Sequence, residues 1–84
     1  MNIFKRLDHH ADLVNRMADT VGADLEESLL RGELSGQTLR SAVMRCTKCE
    51  GGAECPDWLE AHRDGAAQAP AYCRNGDLFA QLKR

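Results

Sequence analysis

Apolar residues recur along the first quarter of the chain as Phe4, Leu7, Ala11, Val14, Ala18 and Val21. Steps of three and four place them on one stripe of an α-helix. Met17 widens the stripe, and Asp8, Asp12, Arg16 and Asp19 fall off it. Gly22 follows the last apolar position and supplies a natural stop. The stripe is too short for a coiled coil, which needs roughly three or four heptads, so it predicts a bundle helix. Asp24 then caps a second helix, with Glu27 in the reciprocal capping-box position. Leu25, Leu29 and Leu30 make its apolar face, and Gly32 ends it. Ser35 caps a third helix, on which Leu39, Val43 and Cys46 share the inward face at i, i+4 and i+7.

Breaks are more frequent in the second half. Gly51 and Gly52 interrupt the helix, and Cys55-Pro56-Asp57-Trp58-Leu59 restarts it, with Pro56 in the first helical position and Cys55 as N-cap. This fourth helix is expected to reach His62 or Arg63 and to stop before Gly65. Ala66 to Pro70 reads as a loop, because Pro70 disfavours helix at Ala69. Asn75 is an N-cap for a last helix carrying Leu78, Phe79 and Leu82. No strictly alternating run predicts a strand, and no repeat is present. The expected fold is all-α, a bundle of about five helices in one domain over residues 1–84. Residues 1–45 form a helical part, 46–75 a cysteine segment and 76–84 the C-terminal helix.

A chain of 84 residues is close to the size below which small folds need a cross-link. Its 11 basic and 13 acidic residues are interspersed. No basic stripe points to nucleic acid and no acidic run to a disordered tail. The start of the chain lacks the apolar core of a signal peptide, and nothing approaches the ~20 apolar residues of a membrane span. A soluble cytoplasmic protein is expected, with no nucleic-acid or membrane partner.

Cysteine spacing changes the picture most. Cys46, Cys49, Cys55 and Cys73 follow the pattern C-x2-C-x5-C-x17-C. In a reducing compartment four such thiols point to a metal or a cluster rather than to disulfides. Cys46 and Cys49 fall where a helix ends, Cys55 starts another and Cys73 precedes a third, so the starts of the last two helices face thiolates with free N–H groups. Arg45, Lys48 and Arg74 flank the cysteines and offset the charge of four thiolates on either metal. Zinc sites usually pair two short knuckles, whereas one knuckle is present here. The ten residues from Cys46 to Cys55 are similar to the C-x2-C-x5-C run of [4Fe–4S] loops in endonuclease-III-type DNA glycosylases and certain CRISPR-associated nucleases. There the fourth cysteine lies upstream, and here Cys73 lies downstream.

A wider resemblance runs from about His10 to the C-terminus. Arg40-Ser41-Ala42-Val43-Met44-Arg45-Cys46-Thr47-Lys48-Cys49, Cys55-Pro56-Asp57-Trp58-Leu59 and Ala69-Pro70-Ala71-Tyr72-Cys73-Arg74-Asn75 resemble a bacterial domain-of-unknown-function family of short four-cysteine proteins. The resemblance implies no activity, only that the four cysteines belong together.

Other groups read as structural. His62 is placed to replace Cys73 as a ligand, but is better read as a helix-end histidine favoured by the dipole. His9 and His10 are adjacent on a helix and do not converge, which makes them a poor metal pair. Trp58, one turn after Cys55, is core with its N–H paired rather than a shield for a cluster. Cys46-Thr47-Lys48-Cys49 is formally C-x-x-C, yet the βαβ setting of thioredoxin chemistry is missing, so a binding protein is expected ahead of an enzyme. The sequence therefore reads as a small four-cysteine [4Fe–4S] protein for electron transfer or a redox- or iron-responsive contact with a protein partner. A zinc-stapled interaction module is the alternative, and a thiol–disulfide switch the third reading.

Overall fold

The computed structural model describes residues 3–51 and 53–83, without the side chains of Ile3, Phe4 and Arg6. The expectations for Gly52 and for the Phe4 side chain lie outside the described residues. Five helices follow in order: α1 (Ile3–Thr20), α2 (Leu25–Leu30), α3 (Gly36–Thr47), α4 (Cys55–Ala61) and α5 (Gly76–Leu82). The described residues contain no strand, and the fold is all-α as expected. One isolated antiparallel bridge, Ala23 to Lys83, ties the start of α2 to the end of α5. Among the described residues no helix is long and apolar enough to cross a membrane.

The long α1 is the spine, packed against α3 and α4. Leu13, Val14, Met17 and Ala18 are buried on it, and Val21 just past its end. That arc is wider than the predicted stripe, which omitted Leu13. A stripe in steps of three and four fits one neighbour; two neighbours on different sides also bury the flanking position. Gly22 ends the helix with φ 85°, a left-handed conformation that costs glycine little.

Caps form as the sequence predicts at two helix starts. The Asp24 carboxylate accepts from the Glu27 N–H at 3.0 Å, and the Ser35 hydroxyl oxygen accepts from the Thr38 N–H at 3.0 Å. Glu27 turns its carboxylate the other way, accepting from Arg31 Nε at 2.8 Å, one turn on, instead of reaching back to Asp24. At α4 the cap position belongs to Glu54, so Cys55 is the first helical residue and not the N-cap.

The apolar face of α2 differs from expectation. Leu25 is buried, but Leu29 is 38% and Leu30 77% exposed. Ser28 is fully buried in their place, its hydroxyl donating to the Asp24 carbonyl at 2.7 Å. With six residues the helix presents only the Leu25–Ser28 edge to the core. The apolar contact then comes from Leu34, which lies beyond the helix. The carbonyl of Ser28 accepts from the N–H groups of both Glu33 and Leu34, and this turn carries Leu34 inward.

This burial pattern separates two leucines that composition alone treats alike. Leu13→Ala should cost about 2–5 kcal/mol of unfolding free energy, as a cavity in a packed core does. Leu30→Ala should stay within about 0.5 kcal/mol. Denaturant titrations of the two variants beside the parent chain check both.

Candidate metal centre

The C-x2-C segment is built at the end of α3. The Lys48 N–H donates to the Arg45 carbonyl and the Cys49 N–H to the Cys46 carbonyl, each at 3.1 Å. These tight turns swing Cys49 back to the side of Cys46. The Gly51 carbonyl then accepts from the N–H groups of Glu54 and Cys55, at 3.0 and 2.9 Å, which starts α4 with Cys55 at its head. The fourth cysteine arrives on a separate segment, where the Cys73 N–H donates to the Pro70 carbonyl at 2.9 Å.

Tyr72 seats that segment. Its ring lies so close over Gly51 that a Cβ there would overlap the ring carbons. Its carbonyl accepts from the Cys49 thiol at 3.3 Å. Ring and carbonyl together hold Cys73, the next residue, against the first three cysteines. The Tyr72 hydroxyl is buried and has no hydrogen-bond partner among the described residues.

All four cysteines line one cavity, walled on the apolar side by Leu13, Val14, Met17 and Phe79. None is in a disulfide. Among the described residues, no three His, Cys, Asp or Glu side chains form a group able to hold a single ion. The cavity shifts thiol chemistry in one direction. Burial, followed by the charges of Cys55, Cys49 and Cys73, pushes the Cys46 thiol up to about 11. Burial also raises Cys55, with Cys73 and Cys49 adding to the rise and the Arg16 guanidinium offsetting part of it. Cys73 is raised by burial and by Cys49, against which the Asn75 backbone N–H stabilises its thiolate. Four thiolates cannot share this space without a cation, because each disfavours the others in a low-dielectric pocket. Protonation removes that conflict in the thiol form, and a bound cation would remove it too, with release of the thiol protons.

Three groups that sequence reasoning placed elsewhere also meet here. Asn75 does hold the N-cap position of α5, but its side chain makes no cap bond. Asn75 is buried instead, with Nδ2 donating to the Ala42 carbonyl at 2.8 Å and Oδ1 accepting from Arg45 Nη1 at 3.2 Å. It thus pins the start of α5 to the middle of α3. Arg16, off the predicted stripe, reaches Cys55 electrostatically. His10 brings Nδ1 to 3.3 Å from Cys46 Sγ. The one signal for His10 was its place one turn before Leu13 and Val14; the partner, 36 residues away, has no local signature.

His62 and Trp58 do not line the cavity. His62 Nδ1–H donates to the Trp58 carbonyl at 2.8 Å, and the two rings stack with centroids 4.0 Å apart. His62 therefore ends α4, at the far end from Cys55, as a structural residue. His9 packs edge-on against the His10 ring.

Fold and site together define a small all-α domain in which four thiols from two chain segments share one apolar cavity. Over residues 1–84 the chain matches a family of unknown function, DUF6455, and belongs to it. No curated protein and no solved structure matches the chain.

Gly51→Ala tests the seat of Tyr72. Forcing a methyl group into the ring should cost about 1–3 kcal/mol. Gly36→Ala is the control, since nothing lies within 4 Å of a Cβ at that position. It should be neutral or slightly stabilising. Thermal unfolding of the two variants separates close approach from a general effect of glycine replacement.

Proposed function

We propose that this chain is a cytoplasmic metal-binding protein whose Cys46, Cys49, Cys55 and Cys73 hold a [4Fe–4S] cluster. In this reading it serves one-electron transfer, or a redox- or iron-responsive contact with a protein partner. The observation that carries the reading is the shared cavity of the four cysteines. A single zinc ion would draw four sulfurs to within roughly 3.8 Å of one another, as Zn–S bonds near 2.3 Å in a tetrahedron require. The cysteines converge on one cavity, and only one C-x2-C knuckle is present, whereas zinc sites usually pair two. A four-iron cluster takes each thiolate on a different iron, so its ligands stand farther apart. When bound, such a cluster supplies a one-electron couple. The protein's part is to bind it through the cysteines, to exclude water with Leu13, Val14, Met17 and Phe79, and to offset charge through Arg16 and the Asn75 N–H.

Protein purified without air from iron-replete cells should carry iron and acid-labile sulfide in equal amounts. Its brown colour should bleach with a strong reductant. One zinc per chain in colourless protein would replace this reading with the zinc-stapled interaction module. Each of Cys46→Ser, Cys49→Ser, Cys55→Ser and Cys73→Ser should lose bound metal to a similar degree, since the four act as one unit.

Removing the metal under reducing conditions has a second expected result. Ordering each residue costs on the order of 1–2 kcal/mol, and residues 46–75 carry few large apolar anchors. Metal–thiolate bonds worth ~10 kcal/mol in small domains cover that deficit. Hydrogen exchange should show protection lost mainly over 46–75 while α1 keeps much of its own. Equal protection with and without metal would remove the stapling role.

A further inference from the structure

We propose that His10 is a positioning residue of this centre, its Nδ1–H donating a hydrogen bond to the Cys46 thiolate. The inference rests on the metal-binding reading above and deepens it. Four observations carry it. Nδ1 lies 3.3 Å from Cys46 Sγ, between residues 36 apart in sequence on α1 and α3. His10 is half-buried. His10, Leu13, Val14 and Met17 follow the i, i+3, i+4, i+7 rule, and the last three line the cavity, so His10 extends the face of α1 that meets the cysteines. Finally, the other sulfurs have different company: Cys73 has the Asn75 N–H, Cys55 the Arg16 charge and Cys49 the Tyr72 carbonyl.

A metal-bound thiolate can only accept, so the proton of this contact sits on Nδ1 in the loaded protein. Hydrogen bonds to cluster sulfurs are among the levers that set reduction potential. A donor to sulfur stabilises the more negative, reduced state further, so its loss lowers the potential.

The test uses the loaded full-length chain and two variants. His10→Leu removes the donor and keeps an apolar, helix-compatible side chain. His10→Asn keeps an N–H near the place of Nδ1. In iron–sulfur-loaded protein, His10→Leu should retain full iron and shift the oxidised-to-reduced ratio at fixed potential by roughly tenfold toward oxidised, about 59 mV for one electron. His10→Asn should stay near the parent. An unchanged potential in His10→Leu would overturn the assignment. So would loss of iron from His10→Leu, which would make His10 a ligand or a fold determinant. If the parent takes zinc and no iron, the cluster reading fails while His10 remains testable with cobalt in the same site. The sulfur-to-cobalt charge-transfer band of His10→Leu should then move to lower energy, with His10→Asn unmoved. No movement would overturn the assignment, and a parent chain that binds none of these metals would overturn both readings.

Discussion

The constraint on which the C-terminal half depends is electrostatic: one apolar cavity receives four groups that can each become an anion. Burial and mutual repulsion hold Cys46, Cys55 and Cys73 toward the protonated form. Thiols in that form are weak hydrogen-bonding partners and contribute little order of their own. The surrounding structure therefore supplies the geometry. Tyr72 clamps Gly51, and Asn75 locks α5 to Ala42 and Arg45. These contacts bring the sulfurs together, and protonation keeps their proximity tolerable.

Helix length divides the molecule into a platform and attached pieces. α1 and α3 have 18 and 12 residues, whereas α2, α4 and α5 have six or seven. Helices this short are not stable alone, because so few hydrogen bonds follow a costly nucleus. α4 is held through Leu59 against the core, and α5 through Phe79, Leu82 and the Asn75 anchor. Phe79 links the two tasks of the fold, since it is buried in the core and also walls the cysteine cavity.

Local features of this fold were legible in the sequence because their causes are local. Asp24 and Ser35 cap the helices they precede, and Gly22 and Gly32 stop helices with positive φ. The grouping of the four cysteines was legible too, since their spacing already marked them as one set. Helix faces were harder to read. Leu29 and Leu30 look like core in a short helix, yet which edge turns inward depends on where the next segment docks. Leu13 was missed for the related reason that a second neighbour widens a buried arc. The contacts of His10 and Asn75 join segments more than 30 residues apart, and no periodicity reports such a meeting.

The turn that carries Cys49 back toward Cys46 also implies an order of assembly. Those two sulfurs are three residues apart at the end of a helix already packed on α1, so bringing them together closes almost no loop. Adding Cys55 closes a short one, and adding Cys73 closes the longest, with 17 residues intervening. Loop-closure entropy grows with that span. Metal capture on this scaffold would thus begin at the C-x2-C turn and finish with the segment led in by Tyr72. In that order the last sulfur to arrive would also be the first to leave, which would make Cys73 the point where a bound centre opens to exchange.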